Sequence, residues 1–149
     1  MRISAKGRYS LAALIQIANR NTAEPVPVPV ISISEALGIS KVFLEQVATA
    51  LKKGGLITAV KGPKGGYQLA RASSEITALD VLKSAENALF ETAQNDPLEQ
   101  TPIIAGALSE LVLTPLDKAV EHCLSNITLQ ELVDYTQSHG HSQSFMLYI

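Results

Sequence analysis

Residues 54–71, GGLITAVKGPKGGYQLAR, contain two short β-prone runs separated by a loop rich in glycine and lysine. The runs are residues 56–60 and 67–70, and their spacing predicts an antiparallel hairpin. The loop between them carries Lys61 and Lys64 among three glycines and one proline. Glycine exposes backbone N–H groups and lets the main chain approach a ligand, while lysine supplies positive charge. We therefore predict a hairpin with a cationic tip.

Two helices joined by a tight turn are predicted directly before the hairpin. Ser32 or Ser34 can begin the first helix, Gly38 can end it, and Ser40 can cap the second helix two residues later. The second helix, about residues 41–53, has an apolar face of Leu44, Val47, Ala48 and Leu51 and a polar face of Lys41, Glu45, Thr49 and Lys52, with Gln46 and Lys53 beside it. A solvated outer face explains that polar row as simply as a ligand does.

An N-terminal helix is predicted from Ser4, which can cap it, to about residues 19–21. Its apolar stripe comprises Leu11, Leu14, Ile15 and Ala18. Lys6 and Arg8 lie in the first turns, where cations oppose the helix dipole unless an anion lies nearby, and a phosphate would be such an anion. Prolines at positions 25, 27 and 29 then predict an extended connector.

Positive charge is concentrated in the first half of the chain. Residues 1–71 hold ten Lys or Arg against three acids, a net +7, and the remainder holds two against eleven, a net −9. This asymmetry indicates one end suited to a polyanion and another that repels it. Two solvated faces of opposite sign would show the same asymmetry.

The acidic half is predicted to be helical. Thr77 and Asp80 form a capping-box pattern for a helix through Leu89, and a polar loop follows over about residues 90–102. Thr101 and Pro102 then signal the start of a long apolar segment, residues 103–124. Proline at position 115 predicts either a kink or two separate helices there. Thr128 can cap a last helix through Tyr135, with an irregular tail from residue 138 onward.

The apolar band of residues 103–124 is broader than packing within one chain requires, and we predict that part of it contacts a second subunit. The predicted dimer-interface residues are Ile104, Leu108, Leu111, Val112, Leu116, Ala119, Val120 and Cys123. A helix buried wholly within its own chain would show the same pattern.

The chain is thus predicted to be mainly α with a small β-hairpin. We expect a winged helix-turn-helix domain over residues 1–72 and C-terminal helices for dimerisation and effector sensing over residues 73–149. No apolar run is long enough to span a bilayer and no secretory signal begins the chain, so we expect a cytoplasmic protein. The sequence has no Walker loop, His-Glu-x-x-His or Gly-x-Ser-x-Gly motif, which argues against an enzyme.

Four stretches resemble the Rrf2 family of winged-helix transcriptional regulators, and the Gly-Pro-x-Gly-Gly-Tyr hairpin is the specific one. The stretches are MRISAKGRY at 1–9, GIS at 38–40 with FLEQ at 43–46, KGGLI at 53–57 and VKGPKGGYQLAR at 60–71. ITLQELV at 127–133 is also similar to the closing helix of that family.

The resemblance implies a dimeric repressor that binds double-stranded DNA at an inverted repeat. The second helix of the helix-turn-helix would enter a major groove, Lys61 would reach a minor groove, and Lys6 and Arg8 would hold phosphates. The predicted DNA-binding residues are Arg2, Lys6, Arg8, Ser40, Lys41, Val42, Glu45, Gln46, Lys61, Gly62, Lys64, Gly65, Gly66 and Tyr67. Gln can pair with adenine and Glu can accept a hydrogen bond from cytosine, which agrees with these roles.

The chain departs from the cluster-binding members of that family, which carry three cysteines in the segment where residues 90–110 here contain none. It resembles in type the members without cluster cysteines, and we expect no cofactor and no metal. We interpret Cys123 as a small buried hydrophobe rather than a redox switch, and His122, His139 and His141 as a weak metal signal. The input that the regulator senses would come from a small molecule, a protein partner or Cys123. The alternative hypothesis is a protein-interaction module whose acidic half recruits a partner.

Overall fold

A computed structural model describes residues 3–21, 23–86, 89–90 and 97–147. The elements in chain order are α1 (Ala5–Arg20), α2 (Val30–Leu37), α3 (Lys41–Lys53), β1 (Ile57–Val60), β2 (Gly66–Leu69), α4 (Ala78–Ala85), α5 (Pro102–Leu108), α6 (Thr114–Ser125) and α7 (Leu129–Leu147). Short 3-10 turns occur at Ser73–Glu75 and Pro97–Gln100. The prediction of a mainly helical chain with one hairpin is confirmed.

Side-chain caps begin α1 and α3 as predicted. The Ser4 hydroxyl oxygen accepts a hydrogen bond from the Gly7 amide at 3.1 Å, and the Ser40 hydroxyl oxygen accepts one from the Phe43 amide at 3.1 Å. Gly38 ends α2 with a left-handed φ of 65°, which a residue without a Cβ adopts at little cost. The tight turn between α2 and α3 therefore follows from Gly38 and Ser40.

The predicted start of α2 at Ser32 or Ser34 is wrong. The helix begins at Val30, directly after Pro29, and both serines lie inside it. The Ser34 hydroxyl donates back to the Ile31 carbonyl at 3.0 Å and so caps nothing. Proline is restricted to a φ that suits the entry to a helix, so Pro29 starts the helix earlier without a side-chain cap.

The hairpin pairs Ile57 with Leu69 and Val60 with Gly66, as antiparallel neighbours. The connector before α2 adds a short third segment to this sheet, because the Val28 amide donates to the Tyr67 carbonyl at 2.8 Å and the Tyr67 amide donates to the Val28 carbonyl at 2.9 Å. The extended connector is therefore fastened to the base of the hairpin.

One apolar core holds the helix-turn-helix, the hairpin and parts of the acidic half together. Its fully buried members include Leu14, Ile33, Leu44, Val47, Leu51, Leu56, Ile76, Val81 and Leu129. Val133 of α7 packs into the same cluster. The core thus crosses the predicted domain boundary at residues 72 and 73, and that division stays a prediction.

The acidic half begins with the predicted capping box. The Asp80 amide donates to the Thr77 hydroxyl at 3.1 Å and the Thr77 amide donates to the Asp80 carboxylate at 3.0 Å. The helix ends at Ala85, however, and does not reach Leu89 as predicted. Thr128 caps α7 as predicted, since the Glu131 amide donates to its hydroxyl at 3.2 Å.

Two further predictions on the acidic half are resolved or corrected by the structure. A π-helical segment, Ser109–Leu113, joins α5 to α6, so the helix continues past Pro115 instead of splitting. Proline cannot donate a backbone hydrogen bond, and a π turn in front of it accommodates that loss. The irregular tail expected from residue 138 onward is wrong, because α7 runs to Leu147. None of the helices among the described residues is long and apolar enough to span a membrane.

Candidate nucleic-acid interface

The outward face of α3 carries the predicted base-reading residues. Lys41, Val42, Glu45 and Gln46 are all exposed. The opposite face is buried in the core, which fixes the rotation of the helix about its axis. Ser40 is also exposed, and its hydroxyl already accepts from Phe43 as the helix cap. The structure therefore presents one continuous polar face with a single valine in its first turn.

The first turns of α1 carry Lys6, which is half-buried, and Arg8, which is exposed. The sequence suggested that an external phosphate would offset the conflict of these cations with the helix dipole. The structure places a carboxylate of the chain itself there: the amide and the hydroxyl of Ser4 both donate to Glu86, at 2.8 and 2.6 Å. This carboxylate lies at the N-terminus of α1 and favours the helix electrostatically.

Glu86 was missed from the sequence because it lies 82 positions from Ser4. Gly7 leaves room for it, since a Cβ at that position would lie 2.2 Å from the Glu86 Oε1 atom. Gly7 is the only local sign of this contact, and a glycine in the first turns of a helix does not identify what approaches it. The contact joins the end of α4 to the start of α1.

The hairpin tip exposes Lys61, Gly62 and Lys64. The neighbouring glycines, Gly62 and Gly65, form the turn by a hydrogen bond between their own backbones. Gly62 has a left-handed φ of 108°, and its carbonyl accepts a hydrogen bond from the Gly65 amide at 2.9 Å. A Cβ at Gly65 would lie 2.1 Å from the Val60 carbonyl oxygen. The Gly65 amide is therefore used inside the turn and is not exposed to a ligand as the sequence suggested.

Tyr67 is a core residue in the structure. Its ring is buried, both of its backbone polar groups bond to Val28, and the Lys52 ammonium lies 5.9 Å from the ring centroid. Burial raises the pKa of the Tyr67 hydroxyl, and the charge of Glu45 raises it further. Its predicted contact with DNA stays a prediction, and only the hydroxyl is left to make it.

Side-chain contacts join α1, α3 and the hairpin. Tyr9 of α1 packs edge-to-face on Phe43 of α3, with ring centroids 5.6 Å apart. Arg8 precedes Tyr9 in the sequence and Val42 precedes Phe43, so this contact brings the two predicted DNA-binding segments together. At the other end of α3, Lys52 lies over Tyr67 of β2. The candidate DNA-binding surface is thus built from the start of α1, the outward face of α3 and the hairpin tip.

The cations of this surface form no ion pair with any of the residues that the structure describes. Within the described part of the chain the ion pairs are Arg71 with Asp80 at 3.5 Å and Lys83 with Glu121 at 3.6 Å. The candidate surface contributes to neither pair, and its cations are Lys6, Arg8, Lys41, Lys61 and Lys64. Arg2, also predicted to bind DNA, lies outside the described residues.

The predicted dimer helix exposes its apolar side chains. Its large apolar residues are between 40% and 89% exposed, namely Ile103, Ile104, Leu108, Leu111, Val112, Leu113 and Leu116. No residue of α5, α6 or the π segment is buried, so the alternative of a helix buried in its own chain is excluded. Of the other predicted interface residues, Ala119 is exposed and Val120 is half-buried.

The expectation that Cys123 is a buried hydrophobe is wrong for the protomer, because the structure leaves it exposed on α6. The helix of which it is part packs on α4, and none of the residues of that helix is buried. His122 and His139 are exposed too, and the side chain of His141 lies outside the described residues. Among the described residues no group of three His, Cys, Asp or Glu lies close enough to hold a metal ion.

Comparisons with known proteins agree with this architecture. The Rrf2 family, described as an iron-dependent transcriptional regulator, matches residues 3–135. The chain is 35% identical over 134 residues to the HTH-type transcriptional regulator IscR of Pectobacterium carotovorum, covering 90% of this chain and 80% of that one. It is 32% identical to the HTH-type transcriptional regulator CymR of Bacillus subtilis over 149 residues, the full length of both.

Solved structures show the same relationship. The structure of CymR, the global cysteine regulator of B. subtilis, superposes with a TM-score of 0.71 at 29% identity and covers 91% of this chain and 98% of that one. The oxidized form of Staphylococcus aureus CymR gives a TM-score of 0.66 at 33% identity, with coverage of 91% and 98%. This chain therefore belongs to the Rrf2 family of winged helix-turn-helix, DNA-binding transcriptional regulators, a family of regulators and not of enzymes.

Proposed function

We propose that the protein acts as a homodimeric repressor on an inverted-repeat operator, with α3 of each protomer in a major groove and the hairpin tip in the adjacent minor groove. The observation that carries this proposal is the candidate DNA-binding surface. Its three elements contact each other, and beside a polar helix face they present cations that have no ion-pair partner in the described part of the chain. Unpaired Lys and Arg side chains release counterions from phosphates, which supplies sequence-independent affinity. The exposed face of α3 would supply the sequence preference.

The homodimer is supported by the apolar face of the α5–α6 helix. Large apolar side chains this exposed along one continuous helix exceed the scattered exposure that a monomer usually shows. A twofold interface built on this helix would place the two α3 helices in symmetry-equivalent positions, as the two half-sites of an inverted repeat require. In the dimer, the same interface would cover the exposed Leu111 and Leu116.

We further propose that this regulator works without an iron-sulfur cluster. The family description names iron, but the residues of this chain do not fit a cluster. The sequence has one cysteine, Cys123, whereas clusters are usually held by several thiolates. A dimer would bring two thiolates in total, and both would lie on α6. A small-molecule or protein effector is then the natural source of the signal.

The central test is operator binding. Fragments selected from genomic DNA by the purified protein should yield a footprint with inverted half-sites, and Lys61→Glu should abolish the footprint because it reverses charge at the hairpin tip. Arg20→Glu, an exposed position in the last turn of α1, is the matched control and should leave binding intact. Equal footprints for wild type and Lys61→Glu would contradict the proposal. A template carrying the operator over a promoter should give less transcript in vitro when the protein is added.

The dimer and the absence of a cluster have separate tests. Leu111→Asp should shift the protein from dimer to monomer in sedimentation velocity, while Val26→Asp, an exposed apolar position on the connector, should leave the dimer unchanged. A monomeric wild type would contradict the dimer. Protein purified without oxygen should be colourless in the visible range, and a charge-transfer band would contradict the cluster-free assignment.

A further inference from the structure

Val42 stands out on the outward face of α3 because it is an apolar side chain in the first turn of the recognition helix. Val42 is 65% exposed, and the two exposed residues before it, Ser40 and Lys41, are polar. A β-branched residue loses rotamer freedom in a helix, and an exposed one recovers little of that cost through burial. Stability of the protomer therefore does not account for a valine at this position.

Its neighbours on that face are polar groups suited to base edges. Val42, Glu45, Gln46 and Thr49 follow each other at helical spacing and are all exposed. The Thr49 hydroxyl donates to the Glu45 carbonyl at 2.7 Å, so its hydrogen is already used within the helix. Glu45 and Gln46 can accept from or pair with bases, whereas Val42 can offer only apolar contact.

The major groove displays one apolar group on its base edges, the C5-methyl group of thymine. In a helix-turn-helix, residues near the N-terminus of the second helix approach base edges most closely. Val42 is the second residue of α3 and so lies in this part of the helix. Ile31 on α2 is equally exposed, but it lies off α3 and before the turn.

We propose that Val42 reads the C5-methyl group of a thymine in each half-site of the operator. This inference rests on the proposed function, because it requires α3 to enter a major groove. Packing the valine side chain against the methyl group removes both apolar surfaces from water. Loss of that methyl group should weaken binding about fourfold for each half-site and about fifteenfold for a dimer on two half-sites, by the usual transfer free energy of one buried carbon.

Thymine-to-uracil replacement tests the contact, because it removes the methyl group and keeps base pairing. The operator is first selected from random duplexes by the full-length protein, and each thymine is then replaced by uracil in both half-sites together. Dissociation constants are measured by fluorescence anisotropy at one salt concentration. We expect one thymine position at which uracil costs wild type about fifteenfold. Val42→Ala, whose single methyl group reaches less far, should show a clearly smaller uracil penalty than wild type, and Ile31→Ala should behave as wild type.

The outcomes separate this inference from the function on which it rests. An operator that binds tightly but shows no methyl-dependent position overturns the role of Val42 and leaves the proposed function intact. The same loss in Val42→Ala as in wild type also overturns it, because the methyl group would then be read by another residue. If no operator is enriched at all, the proposed function fails and this inference fails with it. Circular dichroism of Val42→Ala, whose alanine favours helix, confirms that the variant is folded.

Discussion

Replacing Gly66 by alanine should destabilise the protein far more than replacing Gly62. Both glycines have positive φ values, 151° and 108°, so both substitutions impose backbone strain. They differ in their surroundings. A Cβ at Gly66 would lie 2.0 Å from the carbonyl oxygen of Val28 and 2.4 Å from its carbonyl carbon, whereas a Cβ at Gly62 meets no atom within 4 Å.

The expected difference follows from what must move. An L-residue at positive φ costs about 1–3 kcal/mol, and the lower entropy of the unfolded alanine chain returns about 0.4–1 kcal/mol. Gly62→Ala should therefore lower the free energy of unfolding by about 1 kcal/mol. Relief of the clash at Gly66 also separates Val28 from Tyr67 and breaks both of their backbone hydrogen bonds, each worth about 1 kcal/mol. Gly66→Ala should lose about 3–4 kcal/mol, a large part of the stability of an ordinary domain.

Urea unfolding followed by circular dichroism measures both losses. The two variants and wild type must be compared at one protein concentration, because the proposed dimer would contribute to the apparent stability. If Gly66→Ala and Gly62→Ala lower the free energy of unfolding equally, strain in φ alone governs both sites. The connector would then not be held against the hairpin by Val28 and Tyr67, and the reasoning would be refuted.

Three further predictions concern charge, capping and titration. Salt titrations of operator binding test Lys61→Gln, which should lower the slope of log affinity against log salt by about 1 per protomer through loss of one phosphate contact. The control Arg20→Gln, at the exposed end of α1, should leave the slope unchanged, and equal slopes for Lys61→Gln and wild type would argue against the contact. Ser40→Ala removes the cap of α3 and should lower the free energy of unfolding, measured in urea, by about 1 kcal/mol. Ser32→Ala, inside α2, should lower it much less, and similar losses for the two variants would contradict the assigned caps. Because the pKa of Tyr67 is raised, the folded state holds the phenolic proton more tightly than the unfolded state, and the free energy of unfolding should fall as the pH rises above 10. Ultraviolet titration should show one late-ionising tyrosine that Tyr67→Phe removes. Persistence of that late ionisation in Tyr67→Phe would refute the assignment.

Much of the fold was predictable because its signals are local. The caps at Ser4, Ser40 and Thr77, the stop at Gly38 and the hairpin each depend on residues within a few positions of one another. Local signals failed where two of them competed, as at the start of α2, where Pro29 begins the helix before the serines that follow it. They also misjudged the length of α7, whose polar residues suggested a tail.

The residue types of the candidate site were predictable from the sequence, but the long-range contacts that hold its elements in place were not. The exposed cations and the polar face of α3 follow from composition and periodicity. Glu86 at the start of α1 and Val28 against Tyr67 do not, because each contact joins segments far apart in the chain. The same holds for Cys123, whose exposure depends on how α6 lies on the rest of the protomer.

Residues one or two turns apart determined the helices, the caps, the cationic loop and the separation of charge between the halves, because backbone geometry fixes how near neighbours meet. Only the tertiary structure decided which carboxylate lies at the start of α1, which segment fastens the hairpin and which apolar face is left uncovered. Those outcomes depend on packing between segments separated by tens of residues, where no periodic pattern specifies the partner.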